Sequence, residues 1–283
     1  MLRPVRALFA LLAVLVPLLG SAAPTVVTIP RAESERDARS QFPFFLLEQV
    51  LQRSGRHYLL QKSDVRMQQG RALLQLQKGE GIDVVCYMTS AERESLLLPI
   101  RIPVDKGLIG WRLLMIKKSQ AARWKQIAAS GELRDLTAGQ GSDWPDFAIL
   151  RANGFKVYGT TNYDSLFSML ESERIDYFPR SVNEVWLEAD AHQDQLMVEP
   201  TLAFRYAAAS YYFVRKGNEQ LAADITIGME KMIADGSYEK LFQEYYGEVI
   251  RRSGLKDRRI IELNNPLLPN GLPVERRNLQ FRE

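Results

Sequence analysis

The sequence predicts an α/β fold of two lobes, each a mostly parallel sheet flanked by helices, joined by two crossing hinge segments. Short β-rich runs alternate with amphipathic helical runs along most of the chain, which is typical of βαβ units. The alternation begins near residue 25 and begins again near residue 110, with no flexible linker between the two series. Beyond the first 22 residues roughly 260 remain, enough for two lobes of about 100–150 residues each.

The first series predicts three strands with a helix between each pair. β-branched residues favour a strand at 25–29, and apolar residues at helical spacing favour a helix at 42–53. A second strand is expected at 57–61, and the helix expected at 68–79 ends on a glycine, a common C-terminal residue of helices. The continuous apolar run 82–88 predicts a strand that is buried on both faces.

The second series repeats this alternation and then returns to the first lobe. Its elements are strands at 110–118, 155–158 and 175–178, with helical stretches around Trp124 and over 163–170. A further strand at 210–214 leads into a long amphipathic helix. Gly236 can end that helix, and the next helix is expected over 237–246.

The N-terminus has the residue order of a secretory signal peptide over residues 1–22. Arg3 and Arg6 precede an apolar run at 7–19, and small residues follow, so cleavage is expected after Ala22. The apolar run is shorter than the roughly 20 residues that a membrane-spanning helix needs. The sequence therefore predicts a soluble, periplasmic protein.

Composition argues against several classes of function. Cys86 is the single cysteine, so no intramolecular disulfide is expected. His57 and His192 lack metal-ligand spacing, and no phosphate-loop, dinucleotide or nucleophile-elbow motif is present. The formal net charge is +3, and residues 251–283 hold eight Lys or Arg against four Asp or Glu. Without a concentrated basic face, nucleic-acid binding is not expected, and neither a cofactor nor a metal is predicted.

Four segments, in order along the chain, resemble one family. The family 3 solute-binding proteins, the amino-acid-binding type of ABC importers, have a C-terminal signature that resembles RKGNEQLAADITIGMEKMIADGSYEKLFQEYYG at 215–247. Further segments of that family are similar to KGEGIDVVCYMTSAERE at 78–94, AGQGSDW at 138–144 and SERIDYFPRS at 172–181. The resemblance covers residues 25–250 with the family's order and gaps.

The resemblance implies the two-lobed type II periplasmic-binding-protein fold, acting as a monomer. The implied boundaries are 23–104 plus 211–250 for lobe one, 105–210 for lobe two, and hinge segments near 103–109 and 205–210. Such proteins close by hinge motion on a small-molecule ligand, and an inner-membrane ABC permease or a sensor is the implied partner. Residues 251–283 lie beyond the family's usual end and are expected to pack on lobe one.

The resemblance assigns the ligand's carboxylate to Arg93, whose planar guanidinium can offer it two parallel hydrogen bonds. The alternative is an ordinary surface arginine on a helix. The family usually has a Ser or Thr five residues earlier, but Met88 stands there, so Thr89 is the expected substitute, and the following Ser90 is a further candidate ligand-binding residue. Tyr87 is also expected near the ligand.

The segment AGQGSDW predicts a helix N-terminus, where free N–H groups and the helix dipole attract an anion. Ser142 can donate its hydroxyl to a ligand there. Trp144 is expected either as a wall of the cleft or as a core residue. Asp143 would repel an anion, so we expect it to cap the helix.

The largest departure from the family is in lobe two. Amino-acid binders have an aspartate there for the ligand's ammonium, whereas this chain has Ser181 preceded by Arg180. This exchange removes the attraction for an ammonium and favours an anion. Glu33, in the charge-rich loop after the first strand, is the candidate replacement, and the alternative is a solvated loop.

These features favour a non-enzymatic binding protein that captures a small polar, carboxylate-bearing, amino-acid-like solute for ABC import or sensing. Two alternatives stay open. One is an enzyme similar to cyclohexadienyl dehydratase, which would use Glu33 or Glu184 as its acid or base. The other is a partner-binding module that has lost its ligand.

Overall fold

The structure is a computed structural model that describes residues 23–37, 39–269 and 279–281, so the predicted signal peptide lies outside the described residues. Its strands are β1 Thr25–Arg31, β2 Tyr58–Arg66, β3 Val84–Met88, β4 Leu97–Ile100, β5 Trp111–Lys117, β6 Thr137–Gly141, β7 Lys156–Thr160, β8 Phe178–Ser181, β9 Leu196–Arg205, β10 Ser210–Arg215 and β11 Arg259–Glu262. Its α-helices are α1 Gln41–Arg53, α2 Gln69–Lys78, α3 Ala91–Leu96, α4 Ala121–Ser130, α5 Pro145–Ala152, α6 Tyr163–Glu171, α7 Val182–Ala191, α8 Glu219–Ala234 and α9 Ser237–Ser253. No described helix has both the length and the apolar composition that a membrane span requires.

Lobe one contains β1 to β4 and β10. β1 and β2 pair in parallel, and β10 lies between β3 and β4, antiparallel to both. The Thr28 amide donates to the Asp83 carboxylate and the Asp83 amide donates to the Thr28 carbonyl, both at 2.8 Å, which joins β1 to the entrance of β3. The core of this lobe forms where α1 packs on α8, and it includes the fully buried Leu46, Val50, Ile225 and Met229.

Lobe two is organised around β5, in which six of the seven residues are buried. This strand is antiparallel to both β8 and β9, while β6 and β7 form a parallel pair. A parallel bridge between Ala138 and Tyr177 links β6 to the residues that enter β8. β5 lies within the strand that the sequence predicts at 110–118.

Each lobe combines a parallel strand pair, β1–β2 or β6–β7, with a second sheet in which antiparallel pairing dominates, whereas a mostly parallel sheet was expected in each lobe. The two crossing segments explain the difference. β4 leaves lobe one and β10 re-enters it, so these two neighbours run in opposite directions. In the same way β5 enters lobe two and β9 leaves it, and these neighbours are also antiparallel.

The crossing segments, residues 101–110 and 206–209, are bonded directly to each other and to the strands they join. The Tyr206 amide donates to the Gly110 carbonyl at 3.1 Å, and the Val104 amide donates to the Ser210 carbonyl at 2.9 Å. A Cβ at Gly110 would lie 2.2 Å from the Tyr206 carbonyl oxygen. Only glycine at position 110 therefore lets the two segments approach each other this closely.

The segment 251–283 does not pack on lobe one alone, so this prediction is wrong for its first part. β11 pairs in parallel with β9 of lobe two, where it covers an edge that would otherwise be unpaired. Farther along, the Leu267 carbonyl accepts from the Ala91 amide of lobe one at 2.8 Å. The Phe281 amide donates to the Lys106 carbonyl in the first crossing segment at 2.7 Å. The described part of the segment thus touches both lobes and the connection between them.

Candidate functional site

The two lobes enclose a cleft with an empty volume of about 1080 Å³, including its open mouth. Its walls come from the loop after β1, from β3, from the first residues of α5 and α7, from the first crossing segment, and from the start of β10. The floor in lobe one is largely apolar and is formed by Ile29, Leu47, Val84, Cys86 and Tyr212. Most of the charged groups lie on lobe two and on the loop after β1, and Asp105 lies in the first crossing segment.

Direct contacts hold the lobes together at the cleft mouth. The Asp143 side chain of lobe two accepts a hydrogen bond from the Gly70 amide of lobe one at 2.8 Å. The Asp143 carbonyl accepts from Nη2 of Arg93 at 3.2 Å. Ser34 of lobe one donates to Asp164 of lobe two at 3.0 Å. The expectation that Asp143 caps α5 is therefore wrong, because its carboxylate binds the opposite lobe instead.

Lobe two contributes a buried network of arginines and carboxylates. Arg112 forms ion pairs with Asp146 at 2.6 Å and with Glu184 at 3.4 Å. Arg180 forms ion pairs with Glu184 at 3.0 Å and with Glu188 at 2.6 Å. Burial alone would raise the pKa of Glu184, but the two guanidinium groups hold it below its ordinary value. Glu184 thus stays ionised and bridges both arginines.

Lobe one presents a second charged group in the loop after β1. Arg39 donates to Asp37 at 2.7 Å and to Glu33 at 2.9 Å. Burial would raise the pKa of Asp37, but the charge and hydrogen bonds of Arg39 keep it below the ordinary range. For Glu33 burial has the larger effect, and its pKa is raised despite Arg39. The two carboxyl groups therefore differ in proton affinity.

Asp105 lies in the first crossing segment and also lines the cleft. Its oxygens accept hydrogen bonds from the Gly107 amide and the Ser210 hydroxyl, both at 3.0 Å. No ion pair to this carboxylate is found among the described residues, and burial raises its pKa from 3.8 to about 6. Because Ser210 begins β10, this side chain joins the two connections between the lobes.

Four of the nine predicted site residues line the cleft: Trp144, Arg180, Glu33 and Tyr87. Trp144 serves both of its expected roles, since it faces the cleft and stacks on Phe178 with ring centroids 6.4 Å apart. Contact of these side chains with a ligand stays a prediction.

The other five predicted residues lie behind the cleft lining or outside it. Arg93 is buried and bonded to the Met88 carbonyl at 2.8 Å and to Gln69 at 3.1 Å. Thr89 donates to Glu94, and Ser90 caps α3 by accepting from the Arg93 amide. Neither Ser142 nor Ser181 lines the cavity: Ser142 is an exposed residue, and the Ser181 hydroxyl donates to the Leu108 carbonyl at 3.0 Å.

Sequence reasoning did not select Arg39, Asp37, Arg112, Asp146 or Asp105. A signal existed for Arg112, because a charged residue inside an otherwise apolar strand is seldom fully buried without a partner. Arg39 and Asp37 belong to the charge-rich loop, for which the sequence left a solvated alternative open. Their pairing depends on the loop fold and could not be deduced from spacing.

The architecture and the enclosed cleft together define the class of fold: a two-lobed α/β fold shared with periplasmic binding proteins, which confirms the predicted fold class. No protein-family model matches the chain, and no curated protein matches it. Many solved structures do, and many of these are amino-acid-binding proteins at 11–19% sequence identity. Such identities show a shared fold only.

Three of these solved structures illustrate the similarity. A periplasmic His/Glu/Gln/Arg/opine family-binding protein from Silicibacter pomeroyi in complex with lysine has a TM-score of 0.60 at 11% identity, covering 79% of this chain and 97% of that one. An ancestral arginine-binding protein bound to arginine has a TM-score of 0.59 at 18% identity, covering 80% and 99%. An ancestral amino acid-binding protein, a precursor of cyclohexadienyl dehydratase, has a TM-score of 0.56 at 16% identity, covering 78% and 95%.

Proposed function

We propose that this protein captures a small zwitterionic, amino-acid-like solute in the cleft between its lobes. The observation that carries the proposal is the arrangement of charge in an enclosed space: Arg112 and Arg180 line the wall of lobe two, and Glu33 and Asp37, both paired with Arg39, line the facing loop of lobe one. A solute with both a carboxylate and an ammonium group complements both walls. Its binding would favour the closed arrangement, because only that arrangement presents both walls at once.

Arg112 is the proposed receptor of the ligand's carboxylate. Its contact with Glu184, at 3.4 Å, is the longest ion pair in the lobe-two network, so a ligand oxygen can replace it while the 2.6 Å pair with Asp146 persists. Arg93 has no comparable opening in the closed arrangement, since backbone carbonyls and Gln69 occupy its guanidinium. Arg112, and not Arg93, is therefore the proposed carboxylate receptor.

The proposed setting is the periplasm, reached through the predicted signal peptide. There the loaded protein would deliver its solute to an inner-membrane ABC permease or present it to a sensor, acting as a monomer. Both routes need the same first event, capture of the solute with closure of the lobes.

The test is a thermal-unfolding screen of the chain from Ala23 onward against amino acids, organic acids and polyamines. A ligand at one hundred times its dissociation constant stabilises the folded state by about 2.7 kcal/mol. Isothermal titration should then show loss of affinity in Arg112→Lys but not in Arg123→Lys, which alters an exposed arginine paired outside the cleft. Mass spectrometry of the purified protein should identify a co-purifying solute. No stabilising solute and no co-purifying molecule would contradict capture.

A second candidate function, elimination of water from a prephenate-like acid, is supported by one observation. Glu33 lines the cleft with a raised pKa, as a general acid requires. Purified protein should then turn over prephenate or arogenate, and Glu33→Gln should abolish the reaction. Absence of turnover in the unaltered protein rejects this candidate.

A further inference from the structure

Arg39 reaches across the cleft from lobe one and meets two aromatic rings of lobe two. Its guanidinium carbon lies 4.8 Å from the ring centroid of Trp144 and 4.4 Å from that of Tyr163. Trp144 immediately precedes α5 and Tyr163 begins α6, and both rings are buried. A guanidinium within about 6 Å of an aromatic face is attracted by the ring quadrupole. The Arg39 guanidinium therefore binds the opposite lobe through cation–π contacts with these two rings.

The same guanidinium is neutralised by its own loop. Asp37 and Glu33 both belong to the segment between β1 and α1, and both form ion pairs with Arg39. Glu184, across the cleft, adds electrostatic attraction to the Arg39 charge. Two aromatic faces and two directly paired carboxylates thus surround one planar cation, and the side chain of Arg39 is 15% exposed.

These surroundings are what a receptor for an organic cation needs: aromatic faces for stacking and carboxylates for charge. We propose that Trp144, Tyr163, Glu33 and Asp37 form a guanidinium-binding subsite that Arg39 occupies as an internal ligand. In this role Arg39 holds the lobes closed without a bound solute. A solute that places a guanidinium or another flat cation in the subsite must displace Arg39.

The inference goes beyond solute capture, because it concerns closure by the chain itself. It also fits the other contacts across the cleft mouth, in which Ser34 of the same loop donates to Asp164. Among its described residues, the loop between β1 and α1 therefore joins lobe two through Ser34 and through Arg39. Of these two contacts, only that of Arg39 is made by a group, the guanidinium, that a small molecule in solution can replace.

Chemical rescue tests the proposal. Arg39→Ala should increase the radius of gyration measured by small-angle X-ray scattering, because the lobes lose their internal ligand. Methylguanidinium chloride at millimolar concentration should restore the smaller radius and raise the Tm of this variant saturably, by about 3 °C or more. Sodium chloride at equal ionic strength and methylammonium should have less effect. The unaltered protein should not respond, because its subsite is already filled.

Two further variants make the result decisive. Arg36→Ala removes an exposed arginine of the same loop and should behave like the unaltered protein. Arg39→Lys keeps the charge without the planar fork, so it should be partly open and still respond to methylguanidinium, even if Arg39→Ala does not fold. A closed Arg39→Ala protein, or variants that show no saturable response, would refute the internal ligand and leave solute capture standing. If methylguanidinium rescues the Arg39 variants but the screen and mass spectrometry find no solute, the internal ligand is supported and solute capture is refuted.

Discussion

The carboxyl group of Asp105 should make the folded state less stable as the pH rises from 4 to 7. Its pKa is raised to about 6 in the folded protein by burial between the two crossing segments, against an ordinary value of 3.8. Between these two values the folded chain holds a proton that the unfolded chain has released, so stability falls with rising pH. One pKa unit corresponds to about 1.4 kcal/mol. The difference therefore corresponds to a loss of about 2–3 kcal/mol, most of it between pH 4 and 6.

Urea unfolding followed by circular dichroism at several pH values measures this loss. Other groups titrate in the same range, so the informative quantity is the difference in unfolding free energy between Asp105→Asn and the unaltered protein. The variant cannot ionise at this position, and the difference should grow in its favour by about 2–3 kcal/mol from pH 4 to 7. Ser210→Ala removes a donor that favours the ionised carboxylate, so the loss should extend to higher pH. A difference that does not change with pH would refute the reasoning.

Two more predictions follow from the buried contacts. Arg180→Met leaves Glu184 and Glu188 without this guanidinium, and urea unfolding should show a loss of about 3–5 kcal/mol, against at most about 1 kcal/mol for Arg252→Met, whose ion pair is exposed. An equal loss of unfolding free energy in both variants would contradict the reasoning that a buried carboxylate pair depends on its arginine more than an exposed one does. Gly110→Ala places a Cβ against the Tyr206 carbonyl oxygen, so its Tm should fall by several degrees, and an unchanged Tm would show that the crossing segments can separate freely.

The order of elements was predictable because it depends on local pattern. Hydrophobic periodicity and glycine stops located the strand and helix series, including the apolar strand β3 and the helix start at Pro145. The position of Trp144 before that helix start is a property of the sequence, but whether its ring would form a wall of the cleft or pack in the core was left open. The N-terminal segment 1–22 has a clear residue pattern, and its assignment as a signal peptide stays a prediction.

The pairing of charges was decided only by the tertiary structure. Ser34 and Asp164 are 130 residues apart, and the contacts of Arg39 with Trp144 and of Asp143 with Gly70 likewise join separate lobes. Sequence spacing predicts which residues share a face of one element, but it does not predict which faces meet when two lobes close. The family resemblance directed attention to Arg93, whereas the closed cleft is lined by Arg112, Arg180 and Arg39. A cleft between lobes is made from the ends of distant elements, so its chemistry emerges only when the chain is folded.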